Sequence, residues 1–306
     1  MLLSQQRLRQ ILGAIWLIDG LLQLQPQMFT MNMINGVMVP MTQGQPGIIG
    51  QNLRWITQVS TENLTLLNIV IALVQCGIGI LLLTGVYVRG AIIASAVWAF
   101  IVWYGGEGMS MLLTGQAGVL TGAPGAVLLY PLIGFAVYPR DDDSNHLTMK
   151  DYTGLLSRRQ LRLAFGALWL FFALLQFQPF WWEHGQIQQA ITGMVGMGGW
   201  NTQLIDPSLS GLASRLGGAE AAPNIILILA CAATGTGLLI AGERTVVPIL
   251  AASVVVSVVM WWFAQAIGGI LSGMATDFNS GLLLVVIALG CWPARERIGP
   301  AAATYG

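Results

Sequence analysis

Asp19 stands near the middle of an apolar stretch long enough to cross a membrane, and no other ionisable residue of the chain is so placed. A charge at that depth costs on the order of 3 kcal/mol, so an intramembrane acid marks a proton or polar site by default. The blander reading is a neutral carboxyl hydrogen-bonded to a glutamine or tryptophan on a neighbouring helix. Glu107 follows the third apolar stretch, where a related segment further along the chain carries Gln265. Replacing acid by amide keeps the hydrogen-bonding shape and loses the charge. That makes 107 a polar position near the outer interface, or one that serves backbone amides in a glycine-rich loop. Gln23 and Gln25, and again Gln176 and Gln178, end apolar stretches just before Pro26 and Pro179. They suit carbonyls freed by the prolines better than the headgroup of a quinone, which they could also hold.

Other groups carry weaker signals. Trp103, Tyr104, Trp261 and Trp262, with Trp98, Trp181, Trp182 and Trp200, fall at the outer ends of apolar stretches or in outer loops. An interfacial aromatic belt explains them, and an aromatic-lined pocket for quinone or lipid is the sharper alternative. Met28, Met31 and Met33 have the spacing of copper-handling segments, because soft thioethers suit Cu(I); methionines on an interfacial helix are the plainer reading. Cys76, Cys231 and Cys291 lie in apolar stretches without a CxxC, so neither a disulfide framework nor a zinc site is implied. The two histidines, His146 and His184, are expected on opposite sides of the membrane, which excludes a bis-histidine haem on this topology.

These groups need a membrane scaffold. Apolar residues make up 55% of the 306 and charged ones 8%, against about 25% charged in soluble domains. Zero net charge removes any general case for nucleic acid. Apolar stretches at about 8–25, 64–84, 88–104, 124–139, 161–179, 222–241, 245–264 and 279–293 predict eight transmembrane helices in an all-α polytopic protein. With a cytoplasmic N-terminus, only Arg54 and Arg215 fall outside, and the other basic residues, from Arg7 to Arg297, lie inside. The chain is expected in a bacterial or archaeal plasma membrane with both termini cytoplasmic.

The chain also says nearly the same thing twice. Residues 8–26 (LRQILGAIWLIDGLLQLQP) return at 161–179 (LRLAFGALWLFFALLQFQP), and Trp103–Ala117 returns at Trp261–Ala275. Residues 1–139 therefore form a first four-helix repeat and 161–306 a second, joined by a charged cytoplasmic linker at 140–160. An even helix count makes the repeats parallel, like a fused dimer. Gly77, Gly79 and Gly85, with Gly235, Gly237 and Gly242, would let helices approach closely. The outer segments 27–62 and 180–221 are expected to fold as short interfacial helices. Where the copies differ, Asp19 faces Phe172 and Glu107 faces Gln265, so both acids sit in the first repeat.

The opening pattern LRxxLGxxWLxxGLxQL, followed by IALVQCGIGILLLTGVYVRGAIIASAVW at 71–98, resembles the DoxX-like family of four-helix membrane proteins. LRLAFGALWL and GLLIAGERTVVPILAAS carry the likeness in the second half. The chain departs from that family in its duplication, its long outer loops, and Gln75, which stands where the pattern leads one to expect an acid. The resemblance implies a membrane subunit of a quinone-linked respiratory or sulfur-redox complex, since members include a subunit of thiosulfate:quinone oxidoreductase. Its expected partners are lipids and other membrane or periplasmic redox subunits. It would carry no covalent cofactor, with a bound quinone as electron carrier. A small-solute transporter working between the two halves and a copper-handling protein are the alternatives.

Overall fold

Serine caps start the two equivalent helices. In the computed structural model, which describes residues 3–139, 154–217 and 221–293, Ser4 accepts from the Arg7 amide at 3.2 Å and opens α1 (Gln5–Leu22). The charged linker at 140–153, with His146, lies outside the described residues, as do Arg295 and Arg297. α2 (Gly47–Glu62) lies within the first outer segment, after a short 3-10 turn at Pro26–Phe29 and a broken helical stretch over 31–41. α3 (Leu64–Thr84) stops at Gly85, whose φ of 80° is left-handed and free of cost for glycine. α4 (Val88–Gly105) follows, then irregular chain, then α5 (Leu129–Val137).

The second half repeats this order. Ser157 and Gln160 form a reciprocal capping box at the start of α6 (Arg158–Leu175). The second outer segment contains α7 (Gln186–Thr192) and α8 (Asp206–Leu216), so both outer segments are helical as expected. α9 (Ala221–Ile240), α10 (Val246–Phe263) and α11 (Asn279–Gly290) complete it. There is no strand among the described residues.

Four of these helices, α3, α4, α9 and α10, are long and apolar enough to cross a membrane. Their outward faces carry exposed Leu66, Leu73, Val97, Phe100, Ile226 and Val255, the apolar surface that lipid would cover. α1 and α6 have 18 residues each but charged first turns. α11 has 12 residues and α5 has 9. At ~1.5 Å per residue, those two helices are well short of a ~30 Å hydrocarbon core.

Irregular chain over 106–125 and 264–278 precedes each short helix, and it is not the surface loop that its glycines suggest. Ala117, Ala123, Ala266 and Ala275 are buried, at 0–3% exposure. Non-helical backbone inside a membrane protein must find partners within the protein. Here they come from the opposite half. Gln25 Nε2 donates to the carbonyl of Ala275 at 3.1 Å, and Gln178 Nε2 donates to the carbonyl of Ala117 at 2.8 Å. Each glutamine also donates to its own helix end, Leu22 or Leu175, at 2.9 Å. α5 and α11 meet between the halves.

Within each half the first helix crosses the second through glycine. A Cβ on Gly79 would lie 2.5 Å from Leu17 N and 2.8 Å from Gly13 O, and one on Gly235 would lie 2.8 Å from Gly166 O. Gly77 faces open space, Gly237 packs on the Ile249 side chain, and Gly85 lies against the Arg9 guanidinium. The neighbours of Gly79 are backbone and cannot yield. Gly79→Ala should therefore lower stability by about 1–3 kcal/mol, the usual cost of overpacking. Gly77→Ala should be neutral or stabilising, and thermal unfolding in detergent compares the two.

Candidate functional site

On α1, Trp16, Asp19 and Gln23 recur every three or four residues and share one face. That face lines a cavity of about 190 Å³, room for about six waters at ~30 Å³ each, or for one ring-sized group. α3 contributes Leu67, Ile71 and Gln75, and α4 contributes Trp98, Ile101, Val102 and Gly105. Tyr130 comes from α5 and Glu107 from the chain just after α4. Met33, Met38, Ile56 and Ser60 of the first outer segment cover it. Thr276 and Asp277 reach in from the second half.

Asp19 is 1% exposed. Its Oδ2 accepts from the Tyr130 hydroxyl, a hydrogen bond to a neighbouring helix, α5. The Tyr130 ring packs 4.4 Å from that of Trp16, whose Nε1 donates to Ser95 Oγ at 2.8 Å. Asp19 Oδ1, Gln23 Oε1, Gln75 Oε1 and Trp98 Nε1 are buried with no protein partner. Buried polar atoms are ordinarily satisfied, so this concentration on one cavity wall marks a place for water or ligand.

Glu107 Oε1 accepts from the Val127 amide at 3.3 Å and Oε2 accepts from Ser110 Oγ at 3.1 Å. Gln265 Oε1 accepts from the Gly281 amide at 3.0 Å, and its Nε2 donates to Ser280 Oγ at 2.7 Å. The acid and the amide thus serve equivalent backbone at the starts of α5 and α11, but only Glu107 also faces the cavity. Burial, then the nearby Asp277 charge, pushes the Glu107 carboxyl up to about 8, against the pull of the Val127 amide and the Ser110 hydroxyl. The Asp277 carboxyl is likewise raised, chiefly by burial, with the Asn279 amide and Thr276 hydroxyl opposing. Three carboxyls share one mostly apolar cavity, and no lysine, arginine or histidine among the described residues lines it. Such a cavity can take protons or a ligand with polar atoms to pair; like charges in low dielectric cannot all stay ionised.

The structure brings together Asp19, Glu107, Gln75, Gln23 and Trp98 from the sequence-derived candidates, with Met33 at the cover. It places the others elsewhere. Gln25 ties the two halves, Gln265 caps α11, and Trp103 and Trp261 donate to the carbonyls of Pro124 and Phe278, each at 2.6 Å. Tyr104 accepts from Asn52, and Trp262 donates to Ser208 Oγ. Met28 and Met33 pack with Ile34 and Met38 as a small apolar core, while Met31 is 47% exposed.

Two residues of the site escaped the sequence reading. Tyr130 has Leu284 as its counterpart, in the register set by the Val127 and Gly281 amides; the comparison that singles out Asp19 against Phe172 would have found it. Asp277 sits in what reads as an outer loop and corresponds to Ala123, with no charge to compare. It adds an acid from the second half to the two, Asp19 and Glu107, that the first half supplies. Trp169, Phe172, Cys231 and Leu284 stand where Trp16, Asp19, Gln75 and Tyr130 stand in the first, so neither the acid, the amide nor the phenol recurs there.

The raised Glu107 carboxyl makes a prediction with a definite sign. Its ordinary value is 4.5 and its folded value about 8, so burial costs nothing below 4.5, costs progressively more as pH rises, and costs its full amount above 8. Glu107→Gln should gain thermal stability relative to the parent across that window and hold a constant advantage above it. Infrared difference spectra of parent against variant should show a carboxyl band that bleaches with a midpoint near pH 8. No protein-family model matches the chain, and no curated protein or solved structure matches it either.

Proposed function

We propose that the protein is an integral membrane subunit of a quinone-linked respiratory or sulfur-redox complex, and that the cavity holds the headgroup of a quinone. The observation that carries this reading is the unpaired set at Asp19, Gln75 and Trp98 on an otherwise apolar wall, beside Glu107 and Asp277. A quinone presents two carbonyls on a flat ring. The Trp98 indole N–H and a neutral carboxyl can donate to the carbonyls, and the unpaired Gln23 and Gln75 oxygens can accept from the hydroxyls of the quinol. Trp16 and Trp98 give aromatic wall for the ring. Reduction of a quinone to a quinol takes up two protons with two electrons, and neighbouring carboxyls of raised affinity for protons can exchange them. The electrons come from a partner subunit in this reading. Free Cys76, Cys231 and Cys291 form no centre among the described residues.

The membrane architecture belongs to the same proposal. Eight crossings, four per half in parallel orientation, account for the two-fold recurrence of helix order and of the reciprocal glutamine contacts. In this scheme α5 and α11 cross together with the folded-in chain before them, both termini face the cytoplasm, and the cavity lies toward the outer face of a prokaryotic plasma membrane. The resemblance of helices α1, α3 and α4 to the DoxX-like family supports the redox assignment. Partners would then be other membrane or periplasmic redox subunits.

Equilibrium binding of a decyl-tailed benzoquinone to the purified chain tests the reading. Asp19→Ala combined with Trp98→Phe should weaken binding about tenfold or more, as expected on losing about two hydrogen bonds of ~1 kcal/mol each. Gln265→Glu, outside the cavity, should leave binding unchanged. Equal affinity in parent and double variant sinks the proposal, and quinone-independent uptake of a small solute into vesicles would favour a transporter.

A further inference from the structure

The walls of the cavity differ in how tightly they are closed. α1 and α3 are locked along their length by the Gly13–Gly79 crossing and by Gly20 against Cys76. The side toward the outer segment is clasped shut. Gln45 Nε2 donates to the carbonyl of Gly108 at 2.8 Å and to that of Met41 at 3.1 Å, which ties the segment over 31–45 onto the chain after α4. Met33 and Met38, both buried, form the cover beneath it. α3 and α4 are different. They are joined at the Gly85–Tyr87 turn and make far fewer contacts with each other than α3 makes with α1.

Except for buried Gln75, the residues that line the cavity from α3 and α4 are also partly exposed at the protein surface. Leu67 and Ile71 are partly exposed, and Ile101 is 52% exposed. Their neighbours Val70, Leu73, Val97 and Phe100 are exposed and apolar. A gap between two apolar, lipid-facing helices is reached from hydrocarbon and not from water.

We infer that the gap between α3 and α4 is a lateral portal, through which a membrane-dissolved ligand with a long hydrocarbon tail reaches the cavity. Its polar head sits among Asp19, Gln75, Trp98, Glu107 and Asp277, and its tail lies against Leu67, Ile71 and Ile101. This rests on reading the cavity as a ligand site, but not on the head being a quinone. The portal requires a tail that stays in the bilayer, which sets the substrate class as amphiphilic.

The test uses the full chain in phosphatidylcholine vesicles containing an amphiphile that carries a photoactivatable diazirine at the head end of a long hydrocarbon tail. Mapped by mass spectrometry, adducts on Gln75 and Trp98 as well as on Val70 and Phe100 support the portal. Adducts confined to the outward residues overturn it. A second arm compares a tailless benzoquinone with its decyl-tailed form. The tailed form should bind at least about tenfold more tightly, and Ile71→Trp with Ile101→Trp should abolish that preference. Equal affinities of the two forms for the parent overturn the portal without any variant that must fold. If neither quinone binds while the cavity residues take up the lipid label, the portal stands and the quinone reading fails.

Discussion

Backbone that is neither helical nor wet has to be hydrogen-bonded from somewhere, and this requirement organises the molecule. Parts of the chain over 106–125 and over 264–278, around Ala117, Ala123, Ala266 and Ala275, are folded in among the helices, where carbonyls are kept from solvent. Gln178 and Gln25 answer it across the midline, each from the end of one copy's first helix to the other copy's folded-in chain. Trp181 adds a second donor to Ala117, at 2.9 Å. The consequences spread outward. Because these segments are held inside, α5 and α11 can be short, and Asp277 is carried to the first half's cavity.

The two copies have kept the frame and divided the contents. Asn68 and Asn224 each reach the carbonyl at the end of their half's first helix, Gln23 or Gln176. Glycine crossings, serine caps and helix-start hydrogen bonds recur in the same way. Chemistry does not recur. Where one half places Asp19 and Tyr130, the other places Phe172 and Leu284, and Phe172 stacks edge-on against Trp169 at 5.5 Å. A void lined by unpaired polar atoms is costly to keep and is tolerated where something binds. The second half carries neither the acid nor the phenol at these places.

Much of this was legible in the sequence, for identifiable reasons. Helix order follows from hydrophobic runs punctuated by Gly85, Pro26 and Pro179, and the duplication makes each half a check on the other. Asp19 and Glu107 stood out because charge is rare in apolar sequence. Tyr130 did not, because one tyrosine in an apolar helix is unremarkable until its hydroxyl is seen on a carboxylate. Asp277 was hidden by distance. It joins residues some 250 positions away through a fold-back that glycine-rich sequence disguises as an exposed loop, and only the carbonyl partners of Gln25 and Gln23 reveal where that loop goes. Eight continuous apolar stretches likewise did not disclose that one of them, 124–139, would begin as irregular chain.

Asp277 carries a consequence for how such a protein could arise. In a dimer of identical four-helix chains, every group lent to the neighbour's cavity is also removed from, or added to, the lender's own, so the two sites change together. Joining the genes breaks that tie. In a single chain, one half can lend an acid at position 277 while the other carries alanine at position 123. The halves then act as donor and receiver. The present halves are no longer interchangeable, and two first halves would not rebuild the site.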